Sequence, residues 1–195
     1  MTQYIYDVAE SHLGVKEYPA AKHNPTIIEY YKASGHSWVQ DDETPWCAAF
    51  VGAVLAECGM RGTNELNARS YMKWGQPVDI SEAQKGDVVV FWRGSPDSWK
   101  GHVAFFSHTD GENVWVLGGN QGNAVSLKPY PMSRLLGVRA LKAPRISKAQ
   151  SKTVQASMFQ LATAAGTGVS AVASLDGTAQ LVTIVGAVVV AVAAM

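Results

Sequence analysis

The chain has 195 residues, with 16 basic and 16 acidic side chains and a formal net charge of zero, so its overall charge does not point to nucleic acid as a partner. This length corresponds to one domain of ordinary size with room for an appendage. Two cysteines are too few for a disulfide-built secreted domain, and no signal peptide is visible, so we expect a reducing compartment in which a free thiol persists.

Helices are predicted first along the chain. The stretch QYIYDVAESHLGV has apolar residues close to helical spacing. A second helix is predicted in NPTIIEYYKASG, with Asn24 as its N-cap, Pro25 in its first turn and Gly35 after its end. A third helix is predicted to start near Pro45 and to end at Gly59, and NARSYMKWG predicts one more short helical turn.

Strands are predicted after the helices. The runs GDVVVFWRG, GHVAFFSHT and ENVWVLGGN are rich in Val, Phe and Trp and are bounded by turn residues, which indicates an antiparallel meander. AVSLKPY and LLGVRAL could add one or two strands. Helices followed by strands predict an α+β domain over residues 1–145, with the helices packed on one side of the sheet.

Residues 146–195 differ in composition. Basic side chains crowd the junction, and from Thr153 onward Asp176 is the only charge. The last 17 residues, AQLVTIVGAVVVAVAAM, are nearly all apolar and are just long enough for a membrane-spanning helix. We therefore predict a hydrophobic helical tail in the membrane, with a buried core helix as the alternative. The positive-inside rule would keep the junction in the cytoplasm.

A candidate nucleophile, Cys47, heads the third predicted helix in TPWCAAFVGAVL. Thr44 is expected to cap this helix and Pro45 to take its first position. Cys47 would then lie in the first turn, where free N–H groups and the helix dipole favour a thiolate. Cys58 is about 16 Å away at the other end of the helix and is assigned to packing. Position alone leaves Cys47 open between packing and chemistry.

A nucleophilic cysteine needs a base. Among the five histidines, His102 is favoured because it opens the strand GHVAFFSHT after a glycine-rich loop. His108 lies about 20 Å farther along the strand and cannot serve the same site. The other three histidines lie in or beside the helical half and are assigned to surface or core: His12, His23 and His36.

The base in turn needs an orienting group, which is predicted in the glycine-rich end of VWVLGGNQGN. Hairpin arithmetic places the antiparallel partner of His102 at about 118–120. Asn120 could then accept a hydrogen bond from the imidazole and fix its tautomer. Gln121 and Asn123 are near alternatives, and an ordinary turn role is the simpler explanation of an Asn beside Gly.

Other chemistries lack their motifs. The sequence has no H-E-x-x-H, no C-x-x-C pair and no phosphate-binding glycine loop. Ser70 in NARSY lacks the G-x-S-x-G context of a hydrolase elbow. We therefore expect neither a metal nor a cofactor.

Together these features resemble the NlpC/P60 and CHAP superfamily of cysteine peptidases and amidases, and more narrowly its phage endolysin-like subfamily. The resemblance covers about residues 5–142 and is carried by PWCAAFV, ARSYMKWG, KGDVVVFWRG, GHVAFF and VLGGNQGNAVSL. It implies a papain-like fold with Cys47 as nucleophile, His102 as general base and then acid, and Asn120 as third member. CHAP enzymes usually carry an acidic residue two positions before that Asn, where this chain has Gly118.

The resemblance also implies a function. We expect a peptidoglycan hydrolase that cuts an amide of the stem peptide or of the sugar–peptide link, with Trp46, Trp38 and Trp99 as groove walls or as core. A phage-type endolysin is favoured, acting as a monomer from the host cytoplasm or inner membrane on the cell wall. Its partners would be peptidoglycan and, through the tail, the membrane. The alternatives are an interbacterial amidase toxin and a non-enzymatic, membrane-anchored wall-binding protein.

Overall fold

The computed structural model describes residues 1–19 and 22–141. Three α-helices come first, and the strands follow after a short 3₁₀ helix (Ala68–Lys73), which confirms the predicted order of elements. The helices are α1 (Thr2–Ser11), α2 (Pro25–Ala33) and α3 (Cys47–Glu57). The strands are β1 (Gln76–Val78), β2 (Val88–Trp92), β3 (Gly101–Thr109), β4 (Asn113–Gly118), β5 (Ser126–Pro131) and β6 (Leu135–Ala140).

All six strands form one sheet in the order β1-β6-β2-β3-β4-β5, and each neighbouring pair is antiparallel. Strands β2 to β4 form the predicted meander, and β5, from the run AVSLKPY that could add a strand, extends it. The sixth strand returns to pair with β2, and the unpredicted β1 pairs with the outer edge of β6. The described domain is therefore α+β, with its helices N-terminal to an antiparallel sheet.

Both faces of the central strands are buried, which explains why VVVFW reads as a continuous apolar run. Val90, Val103 and Phe105 face the helices and share a core with α3. Phe91 and Ala104 belong to a second apolar cluster on the opposite face. Neighbouring residues of β3 therefore contribute to different layers of the domain.

Helix α3 is buried over most of its length, since every residue from Cys47 to Leu55 is buried. Its small residues let neighbours approach closely. A Cβ added at Gly52 would lie 2.7 Å from the Cβ of Ser34 and 3.3 Å from the hydroxyl of Tyr71. That hydroxyl donates a hydrogen bond to the carbonyl of Ala48 at 3.3 Å, so the short 3₁₀ helix predicted in NARSYMKWG is packed against α3.

Of the two predicted N-caps, the one of α2 is confirmed and the one of α3 is wrong. Asn24 caps α2 as predicted, and its side chain accepts a hydrogen bond from the N–H of Thr26 at 2.9 Å. The prediction that Thr44 caps α3 is wrong, because the helix begins at Cys47 and no side chain caps it. The N–H of Thr44 instead donates to the carboxylate of Asp41 at 2.7 Å. That side chain organises the preceding turn. The prediction that Pro45 takes the first helical position is also wrong, because the helix begins two residues later.

The predicted tail at residues 146–195, and with it the domain boundary, lies outside the described residues. Within residues 1–19 and 22–141, no helix combines the length and the apolar character that crossing a membrane requires.

Candidate active site

Cys47 is the first residue of α3, and its sulfur lies against β3. Cys47 packs in the same apolar cluster as Val103, and the backbone N–H groups of Val103 and Ala48 act to lower the pKa of its thiol. Only 6% of the residue is exposed. The tip of the helix therefore brings the thiol to the strand residue that directly follows His102.

The predicted thiolate is not what this site favours. Burial raises the pKa of Cys47 above its ordinary value, because a charged sulfur would lose its hydration. The N–H groups and the positive charge of Arg93 act in the opposite direction, but they do not offset the burial. Desolvation outweighs the helix terminus, so the thiol of Cys47 stays neutral at neutral pH.

His102 lies in β3 opposite Phe91 of β2, and it is 1% exposed. Its ring stacks on that of Tyr130, with centroids 4.8 Å apart and an interplanar angle of 11°. Tyr130 also stacks on Phe91 at 4.9 Å. The pKa of His102 is lowered to about 4, mainly by burial and in a smaller measure by the nearby charge of Arg93, while the hydrogen bond to Gln121 acts in the opposite direction. The imidazole is therefore neutral at pH 7.

Gln121 orients this imidazole. Its Oε1 accepts a hydrogen bond from Nε2 of His102 at 3.0 Å, which places the ring proton on Nε2 and leaves Nδ1 as the acceptor nitrogen. The Gln121 amide donates in turn to the backbone carbonyls of Ser126 and Val116. The side chain is 3% exposed, so its amide is held in one orientation inside the domain.

Asn120 does not make the hydrogen bond that the sequence assigned to it. The β3–β4 register, with Phe105 opposite Leu117, would extrapolate to a pairing of residues 102 and 120. Strand β4 ends at Gly118, however, and Asn120 adopts a left-handed conformation with φ of 56°. The chain turns there, and the next side chain, one of the two alternatives considered, reaches the histidine.

The glycine pair of VLGGNQGN is required by close packing. A Cβ at Gly119 would lie 2.6 Å from both the Cβ of Phe50 and the ring of Trp46, at the tip of α3. A Cβ at Gly118 would lie 2.8 Å from the Cβ of Ala104 and 3.2 Å from the Gln121 side chain. A side chain at position 118, acidic or otherwise, therefore has no room beside Ala104 and Gln121.

The two candidate groups approach β3 from different sides. His102 lies on the same face as its partner Phe91, whereas Cys47 belongs to the cluster that packs on the helices. In the part of the chain that the structure describes, no hydrogen bond joins the thiol to the ring. The structure thus brings Cys47 to the backbone beside His102 and pairs His102 with Gln121.

The remaining candidates are placed as follows. Trp46 is fully buried, and its indole N–H donates to the carboxylate of Glu17 at 2.8 Å, so it is core and not a groove wall. Trp38 and Trp99 are each 72% exposed. Four histidines have partners elsewhere, namely His12 with Glu57 and Tyr30, His23 with Asp42, His36 with Ser34, and His108 with Ser107 and Trp115.

Sequence reasoning missed two residues near the site, Arg93 and Tyr130. Arg93 directly follows β2, which pairs with β3, the strand that contains His102. The register of the β2–β3 hairpin was therefore the signal that could have identified Arg93. Tyr130 lies two strands away from His102, and no local pattern indicates the contact. Across residues 1–19 and 22–141, no cluster of three or more His, Cys, Asp or Glu side chains is arranged to hold a metal.

Comparison with known protein families finds a match for part of the chain. Residues 39–120 match the CHAP domain family, a range that includes Cys47 and His102 and ends one residue before Gln121. No curated protein matches the chain.

Solved structures also resemble the chain. An NlpC/P60 family protein from Bacillus cereus is 16% identical over 73% of this chain and 41% of its own, with a TM-score of 0.49. The peptidoglycan hydrolase RipB from Mycobacterium tuberculosis is 17% identical over 73% of this chain and 65% of its own, with a TM-score of 0.45. RipD from the same organism, described as a non-catalytic NlpC/p60 domain protein, is 18% identical over 70% and 93%, with a TM-score of 0.42. This chain thus spans about two fifths of the Bacillus cereus protein.

Proposed function

We propose that this chain, whose residues 39–120 match the CHAP domain family, is a peptidoglycan hydrolase of the NlpC/P60–CHAP superfamily that cleaves an amide bond of cell-wall peptides with Cys47 and His102. One observation carries the proposal. The thiol of Cys47 lies at a helix N-terminus against the backbone of Val103, directly after a histidine whose Nε2 is held by Gln121.

The thiol of Cys47 and the imidazole of His102 are both neutral at the start of the reaction. Because Nε2 of His102 is engaged by Gln121, Nδ1 is the nitrogen that would take the thiol proton as the sulfur of Cys47 attacks the amide carbonyl. The carbonyl π electrons move to oxygen, and the resulting oxyanion can be stabilised by the free N–H of Cys47 at the tip of α3.

The second half of the reaction regenerates the enzyme. The imidazolium of His102 protonates the leaving amine as the C–N bond breaks, which leaves a thioester on Cys47. Water then attacks the thioester with His102 as the base, releasing a carboxylic acid and the thiol. The hydrogen bond to Gln121 raises the pKa of His102, so it favours the imidazolium that both halves of the reaction require.

The biological role that we propose is that of a phage-type endolysin acting on the host cell wall, from the cytoplasm or the inner membrane, with an interbacterial amidase toxin as the alternative. Attachment to a membrane through residues 146–195 and a monomeric state remain part of this proposal. An immunity protein that binds the chain would favour the toxin.

A second candidate is binding to the wall without catalysis. The burial of Cys47, the raised pKa of its thiol and the lack of a described hydrogen bond to the imidazole favour it. A chain of this kind would bind peptidoglycan and would release no product.

Digestion of purified peptidoglycan by the full chain, followed by mass spectrometry, separates the two functions. We expect the wild type to release products with one new carboxylate and one new amine for each bond cut. Cys47→Ala and His102→Ala should release none, whereas Cys58→Ala, the matched change at the other end of α3, should behave as wild type. Full cleavage by Cys47→Ala would overturn the mechanism. Wall binding without products from the wild type would establish the second candidate.

A further inference from the structure

Two cations stand beside the histidine on the same face of the sheet. The N–H of Arg93 donates to the carbonyl of Lys100 at 3.2 Å, which continues the β2–β3 ladder beyond its last pairs. Arg93 and Lys100 are therefore cross-strand neighbours. They occupy the next same-face position after the pair of Phe91 and His102, about 7 Å along the strands.

Their charges are not compensated within the described residues. Both side chains are exposed, and the ion pairs of residues 1–19 and 22–141 involve neither of them. Like charges directly opposite one another on two strands destabilise the pairing. An anion bound between Arg93 and Lys100 would remove that repulsion.

The loop that joins the two cations is held in place. The guanidinium of Arg69 donates to the carbonyls of Pro96 and Ser98, and the N–H of Lys100 donates to the hydroxyl of Ser98 at 3.2 Å. A Cβ at Gly101 would lie 2.8 Å from the Cγ of Arg69, so that side chain packs directly on the start of β3. Arg93 and Lys100 are thus presented from a fixed hairpin.

The positive charge of Arg93 acts on the groups of the candidate site. Its positive charge lowers the pKa values of Cys47, His102 and Tyr130, although burial has the larger effect on each group. Because Arg93 occupies the same-face position next to the pair of Phe91 and His102, a negatively charged substrate group held by Arg93 would lie close to the imidazole.

We propose that Arg93 and Lys100 form a subsite for a free carboxylate of the stem peptide, next to the amide that is cleaved. The proposal rests on the proposed function and adds the class of substrate, an anionic peptide. The planar guanidinium can bind both carboxylate oxygens, and the ammonium adds a second positive charge. Amidation of that carboxylate removes the negative charge and one acceptor, so an amidated peptide should be a poor substrate.

Two synthetic stem peptides that differ in one group, a free carboxylate or its primary amide, test the subsite. Binding of both is measured by calorimetry to the full chain carrying Cys47→Ala, and their cleavage by wild type is followed by mass spectrometry. We expect the acid to be preferred over the amide by about 10- to 100-fold in both measurements.

Arg93→Gln should abolish most of this preference, and Lys100→Gln should reduce it. Arg134→Gln is the matched control, because that exposed guanidinium lies over the ring of Trp92 and the same charge is removed. The Arg134→Gln variant should prefer the acid over the amide by the same factor as the protein without this substitution. Equal binding of acid and amide, or a preference unchanged in Arg93→Gln, overturns the subsite. A binding preference without cleavage supports the subsite and overturns the hydrolase instead.

Discussion

Replacing Gln121 with leucine, beside the control Asn120→Gly, tests which residue orients the imidazole. Leucine has a similar volume but can neither accept from His102 nor donate to the carbonyls of Ser126 and Val116. Glycine at position 120 removes the asparagine side chain and tolerates the left-handed backbone found there. The two variants therefore separate the effect of losing the hydrogen bond to His102 from the effect of changing the turn at position 120.

The size of the effect follows from the contacts that are lost. Gln121 is buried, so its removal leaves the ring N–H of His102 without its acceptor and takes one donor from each of two carbonyls, at about 1–3 kcal/mol for each group that stays dry and unpaired. We expect the free energy of unfolding to fall by roughly 3 kcal/mol, because relaxation recovers part of the sum. Loss of an orienting bond of about 1.5–3 kcal/mol corresponds to a 10- to 100-fold decrease in kcat/KM.

The assay is release of soluble fragments from purified peptidoglycan, at a temperature where denaturant melts show each variant folded. Gln121→Glu keeps an acceptor at the same position and should retain more activity than Gln121→Leu. Asn120→Gly should lie within about 2-fold of wild type, since a surface turn change of this kind costs little. If folded Gln121→Leu is fully active while Asn120→Gly is not, the assignment of Gln121 is refuted.

Two further predictions concern pH and packing. Because burial lowers the pKa of His102 from 6.5 to about 4, the unfolded chain binds more protons between these values, and roughly 3 kcal/mol of stability should be lost as pH falls from 6.5 to 4. Urea melts of wild type and His102→Gln across this range check the prediction, and identical slopes for both would contradict it. Gly119→Ala places a methyl group 2.6 Å from Phe50 and Trp46, and we expect about 1–3 kcal/mol of destabilisation together with reduced peptidoglycan cleavage. Thermal melts and the same digestion test the effect of Gly119→Ala. A variant as stable as wild type would show that Phe50 and Trp46 can move to accommodate the methyl group without loss of stability.

Local patterns were sufficient for the elements and for the position of the thiol. Helical spacing and the cap at Asn24 predicted α2 correctly, and the apolar runs bounded by turn residues predicted β2 to β6. These signals depend on a few neighbouring residues, so a single sequence contains them. The start of α3 was misplaced because the N–H of Thr44 donates to the carboxylate of Asp41 in the preceding turn, and the helix begins only at Cys47.

The site depended on contacts between distant parts of the chain. Sequence by itself determined the α+β order, a cysteine at a helix tip and a histidine at the start of a strand, because periodicity and capping are local. The tertiary structure decided that Gln121 holds the imidazole, that burial keeps Cys47 a thiol and that Arg93 lies beside His102. Desolvation and cross-strand register arise from the packing of the whole domain, and no short stretch of residues specifies either one.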